Sequence, residues 1–309
     1  IILMMPNTDI VVLNWNTGNY LYECIESLKN YRSGYIKEIV VVDNNSEDDS
    51  LEKIINFKDI KIIKNDSNLG ISKGWNLGAS HCRSENILFL NPDARIYSDT
   101  LKPCIDFLNK DTEKKVGIIG VPLEDDDGII SSRCARFPSG KNILAHIFGI
   151  DYIFPELHSS MIDFDHKTTK VVDQVIGAFF LVRRDLFNRL GGFDERFFVY
   201  WEEVDFSYRA KMDGYDSLFL NESSAYHKGE VSSGNVKSKR LYYSLKGRLQ
   251  YSLKHFNKSI FILVTLSTIF VEPITRVVKS IISLNLNSLI NTLDAYRMLY
   301  IWFIKKLTK

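Results

Sequence analysis

Five short β-rich runs, at residues 10–13, 39–42, 60–63, 87–90 and 116–121, punctuate the first 121 residues of this chain, and all but the third, which contains Lys61, lack polar side chains. Between them, at 20–28, 51–55, 73–79 and 101–108, apolar residues recur with helical spacing. A run that is apolar at every position has no face to offer to water, and the alternation with helices supplies cover for both sides. The pattern predicts an α/β fold with a mostly parallel central sheet flanked by helices, a nucleotide-binding half. Sheets of this kind bind ligands beyond the carboxyl ends of their strands, so the polar residues that directly follow each run are the ones on which function depends.

Those residues are Asn14-Trp15-Asn16 after the first run, Asp43-Asn44-Asn45-Ser46 after the second and Asn91-Pro92-Asp93 after the fourth. Asn68-Leu69-Gly70 and Gly74-Trp75-Asn76-Leu77-Gly78 open and run through the third helical segment. Taken singly, Asn, Asp and Gly are turn chemistry. Five such groups on successive carboxyl ends point instead to a ligand site, and a carboxylate such as Asp43 can accept the N3–H of uracil or thymine. No G-x-G-x-x-G follows the first run, which excludes a dinucleotide-binding dehydrogenase.

Residues 177–209 join an apolar run to Gly191-Gly192, then to Phe197-Phe198 and Tyr200-Trp201, then to three carboxylates, Glu202, Glu203 and Asp205. A helical pattern starts there, so like charges crowd a helix N-terminus whose dipole stabilises anions. That is a suitable place for a catalytic base. For Asp205 the preferred reading is an ordinary i,i+4 ion pair with Arg209.

Together these segments resemble the family 2 glycosyltransferases of GT-A fold, and within them the rhamnosyltransferase-like members. There the pattern runs G-A-x-x-L-x-R-R, then G-G-F-D-E-x-F-F-x-Y, then E-D-x-D. The match extends over residues 9–233, with Glu203 where the family carries its Asp general base. The resemblance implies a glycosyltransferase domain over residues 1–235 and a helical C-terminal extension over 236–309. It makes Glu203 the base, with Glu202 and Asp205 as the competing candidates. It assigns recognition of the base to Asp43, with Asn14, Asn16 and Asn44 close by. Asn68 and Gly70 match an Asn-x-Gly whose backbone lets the nucleotide approach, and Trp75 either joins them or packs. Asn91-Pro92-Asp93-Ala94 is the reduced form of the family's D-x-D. Asp93 is then the one obvious carboxylate ligand for Mn2+ or Mg2+, and His227, in Ala225-Tyr226-His227-Lys228-Gly229, falls where related enzymes add a histidine. Arg136, in Arg-Phe-Pro-Ser, either holds a phosphate or is an exposed structural residue.

The expected activity is inverting transfer of a sugar, with dTDP-L-rhamnose as the leading donor, to a polysaccharide or lipid-linked oligosaccharide. A UDP-sugar donor (galactose, N-acetylgalactosamine or N-acetylglucosamine) and a catalytically silent sugar-nucleotide-binding subunit are the alternatives.

The 309 residues suffice for a full core, and a net charge of +1 with interspersed signs excludes the basic field of a nucleic-acid binder. Four cysteines without C-x-x-C spacing indicate a reducing compartment. The first residues, Ile1 to Met5, show no signal-peptide pattern, so the expected location is cytoplasmic, peripheral on the inner face of the cytoplasmic membrane. The apolar run 260–271 stops at Glu272-Pro273, short of the ~18 residues a span needs. Basic residues flanking apolar helical faces, including Arg276, Lys279, Arg297, Lys305, Lys306 and Lys309, suit an anionic membrane surface. Packing on the catalytic domain or on a second copy of the chain is the alternative. His146, His158 and His166 lack metal-ligand spacing and read as structural or exposed.

Overall fold

Each predicted run becomes a strand of one eight-stranded sheet in the computed structural model, which describes residues 7–31, 34–130, 134–161, 163–229 and 237–308. The expectations made for Ile1 to Met5, for the boundary at 235/236 and for Lys309 lie outside the described residues. The strands are β1 Thr8–Asn14, β2 Ile36–Asp43, β3 Lys61–Lys64, β4 Asn86–Leu90, β5 Ala94–Ile96, β6 Val116–Gly120, β7 Leu123–Glu124, β8 Lys170–Val172, β9 Phe179–Arg183, β10 Asp216–Phe219 and β11 Ala225–His227. The large sheet has the order β3-β2-β1-β4-β9-β6-β10-β8. Its first four strands are parallel, β6 pairs parallel with β10, and β9 runs antiparallel between β4 and β6. A small sheet, β5-β11-β7, stands beside it.

Helices α1 Asn19–Asn30, α2 Ser50–Ile54, α3 Ile71–Ala79, α4 Leu101–Lys110, α5 Gly140–Ile147, α6 Arg184–Arg189 and α7 Glu202–Met212 connect these strands. All residues of β1, β4 and β9 are buried, and two separate apolar clusters lie on the two faces of the sheet. That two-sided burial is why the runs carry no polar alternation. One cluster includes Trp75 stacked among Phe89 and Phe193, with ring centroids 5.3 and 5.1 Å apart.

The C-terminal region forms α8 Lys237–His255, α9 Lys258–Leu266, α10 Glu272–Ile282 and α11 Leu286–Leu307. The apolar run does not end at Pro273. A π-helical turn, Ser267–Val271, joins α9 to α10, so a single helix of 25 residues runs from Lys258 to Ile282. Pro273 has no N–H for the carbonyl of Ile269, and the Tyr300 hydroxyl donates to that carbonyl instead, at 2.8 Å. Glu272 is buried, yet paired with Arg248 and Arg276. By length and composition this helix is long and apolar enough to cross a membrane, which corrects the expectation of a run too short.

Candidate active site

The carboxyl ends of β1 and β2 meet in one hydrogen-bonded cluster. Asn14, fully buried, donates from Nδ2 to Asp43 Oδ1 at 2.7 Å and to Ser50 Oγ at 2.8 Å, and accepts from the Thr17 hydroxyl. Ser46 donates to both Asp43 oxygens, from its hydroxyl at 2.6 Å and its N–H at 3.0 Å. Asn16, at φ 53°, accepts the N–H of Glu47 on its side chain. Asn14, Asn16 and Asp43 are thus brought together, and Thr17, Ser46 and Ser50 complete a support that sequence reasoning missed. Small hydroxyls within a few residues of a turn carry no signal that separates them from turn formers.

Asn44 extends this network. Its Nδ2 donates to the Gly70 carbonyl at 3.1 Å, and Asn68 Oδ1 accepts the Gly70 N–H at 2.9 Å. Gly70 has φ 80°, and a Cβ there would meet the Phe198 carbonyl at 2.4 Å. The backbone that approaches Gly70 is therefore that of Phe198, which also accepts the Ile71 N–H. Gly70 thereby joins the first helix-covered half of the sheet to the carboxylate-bearing segment. Trp75 is 2% exposed and packs in the aromatic core, so packing is the reading that fits it.

At the end of β4, Asn91 donates its N–H to the Ala178 carbonyl at 3.0 Å. Pairing of β5 with β11 sets His227 opposite Ala94, which brings His227 Nε2 to 3.4 Å from Asp93 Oδ1 and 3.5 Å from Asn91 Nδ2. Both side chains are largely buried. An oxygen and an imidazole nitrogen converging on one spot fit a divalent cation that takes its remaining ligands from a diphosphate and water. Arg136, by contrast, is paired with Asp163 at 2.5 Å.

The three carboxylates of α7 separate into different roles. Asp205 is fully buried and held at 2.7 Å by each of Arg209, Lys254 and His255. Burial would raise its pKa, but the His255 hydrogen bond, the Arg209 charge and the Lys254 hydrogen bond outweigh that and hold it below the usual value. Asp205 is an anchor, which removes it from the candidates for the base. Glu202 and Glu203 each keep one buried oxygen, Oε2, with no hydrogen-bond partner among the described residues. Burial raises both pKa values, that of Glu202 well up and further through the charge of Glu203. For Glu203 the N–H groups of Glu203 and Val204 at the helix N-terminus act in the opposite direction. A backbone N–H of Glu202 acts in the same opposing direction on Glu202 itself. A Cβ on Gly177 would lie 3.9 Å from that of Glu203, so Glu203 borders the 177–178 segment to which Asn91 is bonded.

The turn before α7 is strained: Tyr200 and Trp201 have φ of 64° and 75°. Bulky side chains rarely adopt that region, and when they do the surroundings must impose it. Here α8 does so. Arg240 donates to the Tyr200 hydroxyl, Trp201 Nε1 donates to the Ser244 carbonyl at 3.0 Å, and Gly247 leaves room for the indole. Sequence reasoning, which set this helix apart from the catalytic unit, gave no sign of that support.

The family described as Glycosyl transferase family 2 matches residues 9–191. The low-salt glycan biosynthesis hexosyltransferase Agl10 of Haloferax volcanii is 26% identical over 262 residues, 83% of this chain and 79% of that relative. An N-acetylglucosaminyl-diphospho-decaprenol L-rhamnosyltransferase of Mycobacterium tuberculosis is 21% identical over 241 residues, 73% of this chain and 77% of the relative. Among solved structures, the mannosyltransferase PcManGT from Pyrobaculum calidifontis, in complex with GDP-Man and Mn2+, is similar in fold. Its TM-score is 0.57 at 14% identity, covering 94% of this chain and 74% of that one.

Proposed function

The chain belongs to glycosyl transferase family 2 and has its GT-A fold, and on that footing we propose that it transfers L-rhamnose from dTDP-L-rhamnose, with inversion, to a saccharide hydroxyl. The observation that carries the reading is Glu203, a carboxylate at a helix N-terminus with one buried oxygen that has no hydrogen-bond partner among the described residues, bordering the segment to which Asn91 is bonded. Glu203 takes the proton of the acceptor hydroxyl as that oxygen bonds to the anomeric carbon. The bond from that carbon to the diphosphate breaks on the opposite face, and the nucleoside diphosphate leaves. Such a base contributes about 10²–10⁴ in rate. Asp93 and His227 would hold Mn2+ or Mg2+, which when bound neutralises charge on the departing diphosphate. The cluster around Asp43 would receive the nucleotide base.

Support for rhamnose comes from the Asn91-Pro92-Asp93-Ala94 form and from the rhamnosyltransferase relative. A panel of dTDP- and UDP-sugars assayed for released nucleotide tests it: turnover highest with dTDP-L-rhamnose is the expected result. Preference for a UDP-hexose overturns the donor while leaving glycosyl transfer, and no turnover or hydrolysis with any donor overturns both.

The acceptor in this reading is lipid-linked, met at the inner face of the cytoplasmic membrane. Residues 237–309 carry thirteen Lys and Arg against two acids, a net +11, which leaves −10 for residues 1–236 of a chain whose total is +1. On the 258–282 helix, Ile262, Leu266, Phe270, Ile274, Val278 and Ile282 recur every fourth residue and are 44–78% exposed. The opposite face packs on α5 and carries the buried Glu272 with its two arginines. A helix with one face held by protein and ion pairs, and the other apolar and basic-edged, is suited to lie in an anionic surface rather than cross it.

A further inference from the structure

His146 at the end of α5, Asp151 in the short 3-10 turn Ile150–Tyr152, and His158 after the turn Pro155–Leu157 come together, and none of them belongs to the donor-side residues. His146 Nδ1 lies 2.8 Å and His158 Nε2 3.9 Å from Asp151 Oδ2, and the three candidate ligand atoms lie within 4.8 Å of one another. The imidazole planes are nearly perpendicular, at 89°. They border a cavity of about 180 Å3 that Asn142, Trp201 and Arg248 also line.

Two features of Asp151 are unusual. Its side chain is 2% exposed, and Oδ1 has no hydrogen-bond partner among the described residues. Nor does a lysine or arginine pair with it among the described residues: Arg248, which shares the cavity, is engaged by Glu272. A buried carboxylate with one oxygen left without a hydrogen bond and no lysine or arginine beside it is an arrangement that costs stability until a cation joins it. The same three groups are a recurrent donor set for zinc, which accepts three protein ligands and leaves a fourth position open to a cavity. Two nitrogen donors disfavour Mg2+ or Ca2+, which prefer all-oxygen shells.

We propose that His146, Asp151 and His158 form a second metal site, for Zn2+ or a similar borderline divalent ion, distinct from the pair Asp93 and His227. Coordination through Nδ1 moves the His146 ring proton from Nδ1 to Nε2. At His158 the ring proton moves from Nε2 to Nδ1, so the present 3.1 Å contact of that Nδ1 with the Ser160 N–H opens. The ion would clip the 146–158 segment, which carries exposed Tyr152, Ile153 and Phe154, to α5.

The test uses the full chain with Asp93→Ala, so that the donor-side residues do not contribute, dialysed against chelator-buffered Zn2+. The expected result is one ion per chain, with affinity lower by more than about 100-fold when Asp151→Asn or His158→Gln is added, since ligand loss exceeds the effect of losing an outer contact. Zn2+ should raise the melting temperature of the Asp93→Ala protein but not of its Asp151→Asn derivative, and Mg2+ should raise neither. Should Asp151→Asn fail to fold, His158→Gln, at a side chain 33% exposed, carries the comparison. No bound Zn2+ in the Asp93→Ala protein, or equal affinity after either added substitution, overturns the site.

Discussion

Replacing Asp205 by Asn separates anchoring from catalysis at the start of α7. The wild-type carboxylate compensates the cations Arg209 and Lys254 and is hydrogen-bonded to His255, each at 2.7 Å, with no solvent exposure. Breaking a buried pair by removing one partner costs about 3–5 kcal/mol. The lower end applies here, because Lys254 keeps Asp194 at 2.7 Å and Arg209 keeps the carbonyls of Leu190 and Gly192 at 2.8 Å. About 3 kcal/mol corresponds to a melting temperature lower by roughly 6 °C in a chain of this size. Turnover of the folded protein should stay within about threefold, since the base is elsewhere. Glu203→Gln should do the reverse: a small change in melting temperature and turnover lower by about 10²–10⁴. Because the folded pKa of Asp205 is depressed, its stabilisation is complete above the unfolded value near ~3.9 and is lost as pH falls through the lower folded value. The gap between Asp205→Asn and wild type should therefore be full at pH 7 and close below about pH 3.9. Scanning calorimetry across pH, paired with a released-nucleotide assay at saturating donor, measures both. Asp205→Asn that melts like wild type but loses more than about 100-fold in turnover would refute the assignment of roles, a loss of the size expected for a base.

The pH dependence of Glu202→Gln has the opposite sign. The folded pKa of Glu202 is raised, so its contribution is present at low pH and is lost as pH rises through that value. The variant should gain on wild type by about 1.4 kcal/mol per pH unit from ~4.3 up to the raised folded value and no further beyond it, and equal gain at pH 4 and pH 8 in thermal melts would contradict this. Asp93→Ala should weaken donor binding strongly with Mn2+ and little with chelator, read by calorimetric titration; equal wild-type affinity in both buffers would remove the metal from the donor site. Phe270→Glu with Ile274→Glu should reduce co-sedimentation with anionic vesicles at low salt, and high salt should weaken the wild type. A wild-type chain that pellets with neither anionic nor neutral vesicles would exclude the membrane surface.

The sequence by itself determined the sheet and the end of it that carries chemistry. Strands covered on both faces must be apolar at every position, so β1, β2, β4 and β6 announce themselves in the order of residues, and the polar residues that follow them can only lie at the sheet's carboxyl edge. Helix α7 was legible too, because three acids in four positions mark a helix start. The pair of Asp205 with Arg209 was legible from its i,i+4 spacing, but the complete enclosure of Asp205 was not. That is decided by Lys254 and His255, some fifty residues further along the chain, and only packing of α8 brings them to Asp205. The partner of Gly70, the burial of Trp75, the Tyr300 hydroxyl that lets a helix continue through Pro273, and the meeting of His146, Asp151 and His158 are decided in the same way. Periodicity records which face a residue presents within its own element. What occupies the space beyond that face depends on how separate elements pack, and a local pattern carries no record of it.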